Sequence, residues 1–291
     1  MTNSYQIRPA LAKDHQDIAN LIFFERHVHR HLDWRHPTDW LGSPFYWVLE
    51  KNSRIVAVLA CPQDKKDVIW LRLFAHAARI PALEAWDILW ENAKKELAEE
   101  GDVKVASISL KGWMKNLLQL SCFVQDEQIL MLSWAKEREP EWSLPEGVTI
   151  RSMTEADLSQ VAEVDAAAFK PLWQNLPPML EQAYSQAVVA TVAVATEGII
   201  GYQISTHSPF GAHLARLAIH PKIQRRGIAS AILGDLLKKL LKKNIKQLSV
   251  NTQSKNKRSI ALYTKNGFEP TEEEYPLFTF QIYKNGQGKE A

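Results

Sequence analysis

Between residues 228 and 241 the apolar side chains Ile228, Ile232, Leu233, Leu236, Leu237, Leu240 and Leu241 recur at intervals of three and four, the spacing of one buried helix face. Asp235, Lys238, Lys239, Lys242 and Lys243 fall on the opposite face. A second amphipathic helix is predicted over residues 85–100. Short runs rich in β-branched and aliphatic residues predict strands at 54–59, 105–109, 198–203 and 249–253.

These elements recur with a shift of about 144 residues. Ile7 and Arg8 ahead of Asp14 and Asp17 resemble Ile150 and Arg151 ahead of Glu155 and Asp157, each a strand leading to a helix N-terminus where carboxylates suit the dipole. The run from Trp70 to His76 matches that from Leu214 to His220, with Arg, Leu and His at the same offsets. The stretch from Leu118 to Phe123 matches Leu262 to Phe268 with one residue of slippage. Each repeat reads strand, one or two helices, several strands, long helix, strand, helix, strand. The expected fold is α/β with a mixed sheet, laid down twice: residues 1–135, a charged and proline-bearing linker at 136–147, and residues 148–291.

Composition narrows the function. With 46% hydrophobic residues and ten tryptophans the chain can build two cores, and a net charge of +2 makes it no polycation. Basic residues do crowd residues 222–265, where Asp235 is the one acid, but they alternate with a buried stripe and no aromatic platform is interleaved. No nucleic-acid partner is expected. Cys61 and Cys122 stand far apart, which argues against disulfide or zinc chemistry and for a reduced, cytoplasmic setting. No secretory leader or membrane span is legible, and the expectation is a monomer with a pseudo-dimeric domain pair.

The chemistry gathers after the strand ending at Ile219. Pro221 has no N–H to donate, so the ladder stops and the chain turns. Gln224-Arg225-Arg226-Gly227-Ile228-Ala229-Ser230 then opens the long helix. Unpaired N–H groups and a partial positive charge at that end favour an anion. Gly227 can take dihedrals closed to other residues, Ala229 keeps the first turn uncrowded, and Arg225 and Arg226 add charge-assisted bonds. The ligand implied is a pyrophosphate.

The segment resembles the Q/R-x-x-G-x-G/A signature of the GCN5-related N-acetyltransferase (GNAT) superfamily. Downstream, Asn256, Ser259, Leu262, Tyr263, Gly267 and Phe268 resemble the family's second landmark, an asparagine followed by a helix bearing Leu-Tyr and ending in Gly-Phe. The resemblance is good over residues 148–283, and over residues 5–134 it extends only to the plan. It implies two tandem GNAT-like acyl-CoA N-acyltransferase domains, with acetyl-CoA as co-substrate, no metal, and an amine, small-molecule or peptide, attacking the thioester directly. By the same resemblance Leu217, Ala218 and Ile219 would pair with the pantetheine arm. Gln224 and the N–H groups from Arg225 to Ser230 would hold the pyrophosphate, and Asn256 and Ser259 would line the arm. Tyr263 would lie beside the sulfur as general acid.

No base is assigned. Some family members carry a glutamate five residues before the asparagine, where this chain has Asn251. His207, an imidazole near a strand end, is a candidate, and Glu272 to Tyr275 read as a solvated loop or the border of an acceptor pocket. A non-catalytic acyl-CoA-binding or regulatory protein is the alternative reading, and a protein-interaction role for the first copy a further one. Where the first repeat should carry the loop it has Leu83 opposite Gly227, followed by Glu84, which would repel phosphate, and Gln119 in the place of Tyr263. One CoA per chain is expected. His27 and His31 would share a face if their segment were helical. A metal site, a pocket wall and packing of tryptophans through Trp47 are all open for it.

Overall fold

The computed structural model of the chain describes residues 4–63, 65, 67–135 and 142–284. The chain packs as two units: unit 1 runs to Glu127 and resumes at Tyr275, and unit 2 runs from Gln128 to Glu274. Residues 128–135 thus pack with unit 2 and the strand beyond Tyr275 with unit 1, a crossing that a contiguous division at 136–147 does not contain. Of that expected linker, residues 136–141 lie outside the described residues, as do 285–291 of the expected second domain. Trp142 seats its indole against α6, where a Cβ on Gly234 would lie 2.2 Å from the ring.

Unit 1 contains β1 (Gln6–Pro9), α1 (His15–Phe24), β2 (His27–Arg30), β3 (Tyr46–Lys51), β4 (Arg54–Ala60), β5 (Val68–Trp70), β6 (Leu73–His76), α2 (Ala82–Glu100), β7 (Val103–Ile108) and α3 (Gly112–Leu120). Strand β8 (Val124–Ala135) leads out of it. One sheet has the order β1-β3-β4-β6-β2, and β7 lies between β5 and the end of the last strand of the chain. Helix α2 forms because Ala85, Trp86, Leu89, Trp90, Ala93 and Leu97 make one buried face. Trp86 and Trp90 stack at 5.5 Å, and Trp86 Nε1 donates to Ser121 Oγ at 2.6 Å, so the ring is buried without an orphaned donor.

Unit 2 contains β9 (Thr149–Ser152), α4 (Leu158–Ala168), α5 (Pro177–Ser185), β10 (Ala187–Ala195), β11 (Gly198–Ser208), β12 (Gly211–Ile219), α6 (Ile228–Lys242), β13 (Gln247–Gln253), α7 (Lys257–Lys265) and the start of β14 (Glu269–Ile282). Its strands follow the order β8-β13-β12-β11-β10-β9, antiparallel except for β12 with β13. The predicted stripe on α6 is the buried one: Ile228, Ile232, Leu233, Leu236, Leu237 and Leu240 pack on the sheet, with Leu241 half-buried at the edge.

The two units repeat one another in detail. Arg8 grips Asp14 through two bonds of 2.7 and 2.9 Å, and Arg151 grips Asp157 through two of 2.7 Å. Each aspartate also accepts a main-chain N–H at 2.8 Å, from Leu11 and Thr154 respectively. The arginine bond holds both carboxyls below the usual carboxylate range. These acids therefore do more than suit a helix dipole, since each clamps its helix to the preceding strand. The parallel pairs Val68 with Lys104, Ile69 with Val105 and Trp70 with Ala106 recur as Ala212 with Leu248, His213 with Ser249 and Leu214 with Val250.

Two local expectations are corrected. The segment from His27 is a strand, because its main chain pairs with the free edge of β6, so His27 and His31 share no helix face. Residues 272–275 lie within β14, where Glu272, Glu273 and Glu274 are exposed, and do not form a loop.

Candidate active site

The site is built where β12 leaves β13. After the pair Leu214 with Val250, β12 carries one extra residue: Leu214 faces Ser205 and Arg216 faces Ile204, leaving Ala215 opposite no partner. A bulge of this kind bends its strand and raises the local twist. Past it β12 stays on β11 and parts from β13. The His220 N–H donates to the Ile200 carbonyl at 2.9 Å, so the main-chain groups of His220 and Ala218 point to β11. Strand alternation turns those of Leu217 and Ile219 to the opened edge. Of the three residues expected along an extended arm, these two present their backbone to the gap, and Ala218 does not.

The loop begins on that edge. Gln224 Nε2 donates to the Ile219 carbonyl at 3.0 Å, anchoring the turn after Pro221. Arg225 and Gly227 both take left-handed backbone conformations, with φ of 67° and 82°. Gly227 is the N-cap of α6 and no side chain caps the helix. A Cβ at Gly227 would meet only Pro145 Cγ, at 3.9 Å, so the demand for glycine comes from the backbone rather than from crowding. The first intrahelical bond runs from the Ala231 N–H to the Gly227 carbonyl at 3.0 Å, leaving the N–H groups of Ile228, Ala229 and Ser230 outside the ladder. Arg225 and Arg226 are exposed beside them.

Helix α7 closes the other wall. Asn256 is its N-cap, with Oδ1 accepting the Ser259 N–H at 3.2 Å and Nδ2 donating to Gln253 Oε1 at 3.4 Å. Tyr263 is buried among Leu214, Leu233, Leu236 and Val250, its ring 5.5 Å from that of Phe268. Burial pushes the phenol above its ordinary pKa, so it keeps its proton at neutral pH. Asn266 Nδ2 donates to Ser230 Oγ at 3.3 Å, tying the end of α7 to the first turn of α6, and Gly267 follows with a φ of 85°.

The face of the sheet under α4 is ionic. Arg216 donates through Nε and Nη2 to Asp165 at 2.7 and 2.9 Å, and through Nη2 to the Trp173 carbonyl at 2.6 Å. The Tyr202 hydroxyl donates to the same carboxylate, and the Arg216 guanidinium lies 3.6 Å from the Phe169 ring centroid. This knot holds the segment after α4 against β12.

His213 lies on that same face, because its neighbours Ala212 and Leu214 face the core under α6. Its Nδ1 is 2.9 Å from Ser249 Oγ, and the Ser249 hydroxyl donates to the Ala212 carbonyl at 3.4 Å. With the serine proton on that carbonyl, its oxygen would accept from Nδ1–H and the lone pair would sit on Nε2. Burial lowers the His213 pKa, so the ring is neutral near pH 7. His207, singled out by its place near a strand end, is exposed on β11, and Asn251 sits two residues beyond Ser249 on β13. Sequence reading missed His213, although its position beside apolar Ala212 and Leu214 signalled the opposite face.

Unit 1 has the same parting of strands but fills it. β2 runs antiparallel along β6, with His27, Val28, His29 and Arg30 opposite His76, Ala75, Phe74 and Leu73. Matched by their pairing with β4 and β11, Phe74 to His76 correspond to Leu217 to Ile219, the extra residue at Ala215 shifting the sequence repeat by one. Helix α2 begins after Pro81 with Leu83 and Glu84 in its first turn and without a left-handed N-cap.

A family model described as the acetyltransferase (GNAT) family matches residues 158–268. No curated protein matches the chain by sequence. Among solved structures, a GCN5-related N-acetyltransferase from Sphaerobacter thermophilus matches with a TM-score of 0.62 at 18% identity, covering 96% of each chain. A tandem GNAT protein from the clavulanic acid biosynthesis pathway matches with a TM-score of 0.64 at 14% identity, over 96% of this chain and 99% of that one. A putative acetyltransferase from Pyrococcus horikoshii matches with a TM-score of 0.57 at 15% identity, over 98% and 94%. Identities this low establish the fold alone. No helix among the described residues is long and apolar enough to cross a membrane, and no group of three or more His, Cys, Asp or Glu there is placed to hold a metal. Residues 158–268 are therefore a domain of the acetyltransferase (GNAT) family, carried by a chain whose length has the tandem GNAT fold.

Proposed function

We propose that unit 2 is an acetyl-CoA-dependent N-acetyltransferase in which an amine attacks the thioester directly. The observation that carries this reading is the edge of Leu217 and Ile219, unpaired by β13, followed directly by the uncapped N-terminus of α6. The N–H groups of Ile228, Ala229 and Ser230, with Arg225 and Arg226, suit a pyrophosphate. The backbone of Leu217 and Ile219 suits an extended pantetheine arm, as an added strand would.

The thioester then lies where β12 and β13 part, with His213 on one face of the sheet and Tyr263 on the other. The amine nitrogen lone pair forms the C–N bond as the carbonyl π pair moves to oxygen. His213 Nε2 takes the amine proton. The pair returns, the C–S bond breaks, and the thiolate takes the Tyr263 phenolic proton. Asn256, whose carboxamide oxygen caps α7, acts on the arm by placing that helix.

In calorimetry the protein should bind one acetyl-CoA per chain, and Gly227→Glu should abolish binding with the fold retained, since a carboxylate in a left-handed N-cap repels phosphate. Normal binding by that variant would remove the site. Asn251, which cannot take a proton, favours a non-catalytic acyl-CoA binder as the second reading. Release of CoA with a panel of primary amines separates the two, because a binder would turn none of them over.

A further inference from the structure

With β2 along β6, unit 1 has no open edge for a pantetheine arm, yet it is not closed. Beside β2 lies a cleft of about 1000 Å³, walled by α1, by β2 and the segment to Pro37, and by the start of α3. That volume is in the range of small-molecule sites. Nothing in the acetyl-transfer reading uses it.

Its charge is one-sided. Arg26, Arg30, Arg35 and Lys111 line it, and none of them has a carboxylate partner among the described residues. The two acids of the lining are already committed: Glu25 Oε2 accepts the Ala78 N–H at 3.0 Å, and Asp33 pairs with Arg72 at 2.7 Å with both side chains almost fully buried. The first turn of α3 opens on the same side, and no side chain caps it. An amine would be repelled here, so the cleft is not built for the acceptor.

The walls are also aromatic. Trp34 and Trp113 line the cleft, and Phe23 and Phe24 stand at it 80% and 75% exposed, far more than apolar rings of a sealed core. His31 Nδ1 and Trp113 Nε1 are buried there with no hydrogen-bond partner among the described residues. A buried polar atom left unmatched is costly, and a ligand group or water would satisfy it.

We propose that this cleft binds an organic anion, a carboxylate or phosphate carried on a flat apolar body. The cations take the charged head and the exposed rings take the body. Unit 1, closed to CoA, has kept its cleft for a different ligand.

Calorimetry on the full chain tests this with 3-phenylpropionate, phenyl phosphate, the neutral 3-phenylpropanamide, 2-phenylethylamine and inorganic phosphate. The two ring-bearing anions should bind one per chain, at least tenfold tighter than the amide or inorganic phosphate, with no binding of the amine. Because α6 offers a second anion site, the titrations are repeated in two variants. Binding should persist in Gly227→Glu and weaken at least tenfold in Arg30→Glu/Lys111→Glu, whose exposed positions leave the melting temperature nearly unchanged. The proposal is overturned by equal affinity for the amide and the propionate, by absence of binding, or by loss in Gly227→Glu with retention in the double variant.

Discussion

In the proposed mechanism the neighbours of His213 are what suit it to act as base. Ser249, within reach of both Nδ1 and the Ala212 carbonyl, would hold the imidazole in the Nδ1–H tautomer by giving its proton to the carbonyl, and burial alone lowers the pKa. Of the ionisable groups on the elements packed around β12, Asp165 is held by Arg216 and Tyr202, Tyr184 donates to the Met153 carbonyl, and His207 is exposed. A base must be neutral to act, so kcat should fall as pH drops through a value below the ordinary 6.5 of imidazole. In His213→Gln that limb should vanish and kcat should drop about 10²- to 10⁴-fold, with acetyl-CoA affinity unchanged. A variant that keeps both rate and limb would return the base to the unassigned groups. The helix start at Gly227 was legible because its signals are local to the loop from Gln224 to Ser230. The surroundings of His213 were not, since they depend on a serine 36 positions away and on the register shift at Ala215.

Elements with a self-contained pattern, such as α6 and α2, emerged as predicted, because period and burial agree along one stretch of chain. β2 did not, because four residues carry no period of their own and take their form from the unpaired edge of β6. The exchange of strand ends between the units was equally hidden, since no local pattern in β8 or β14 says which strands their far ends will pair with. Joining elements, by contrast, rests on a few buried charges. Arg216 binds α4 and the segment after it to β12, with the Asp165 side chain fully buried and that of Arg216 11% exposed. Arg216→Met should cost about 3–5 kcal/mol in urea unfolding, because it strands a buried carboxylate. Adding Asp165→Leu should recover much of that loss. If the double variant is no more stable than the single one, the cost lies in lost packing on Phe169 instead.

A chain that carries one plan twice should bind two cofactors unless something closes one copy, and two separate obstacles stand in unit 1. The first is chemical: Leu83 and Glu84 replace a left-handed glycine and put a carboxylate where phosphate would sit. The second is the strand itself. The His31 N–H donates to the Arg72 carbonyl at 2.9 Å, so by alternation the main-chain groups of His29 also point to β6 and occupy the edge that Leu217 and Ile219 leave open in unit 2. The obstacles can be separated by stoichiometry. Leu83→Gly/Glu84→Ala repairs only the first, and calorimetry should still count one acetyl-CoA per chain. Adding His29→Pro removes one N–H from β2 and loosens its hold on β6 without touching the site in unit 2. A second equivalent should then appear, weaker than the first because Gln119 stands where Tyr263 would be. Two equivalents bound by the repaired loop alone would mean that β2 yields its place to an incoming arm, and that the closure of unit 1 rests on Leu83 and Glu84.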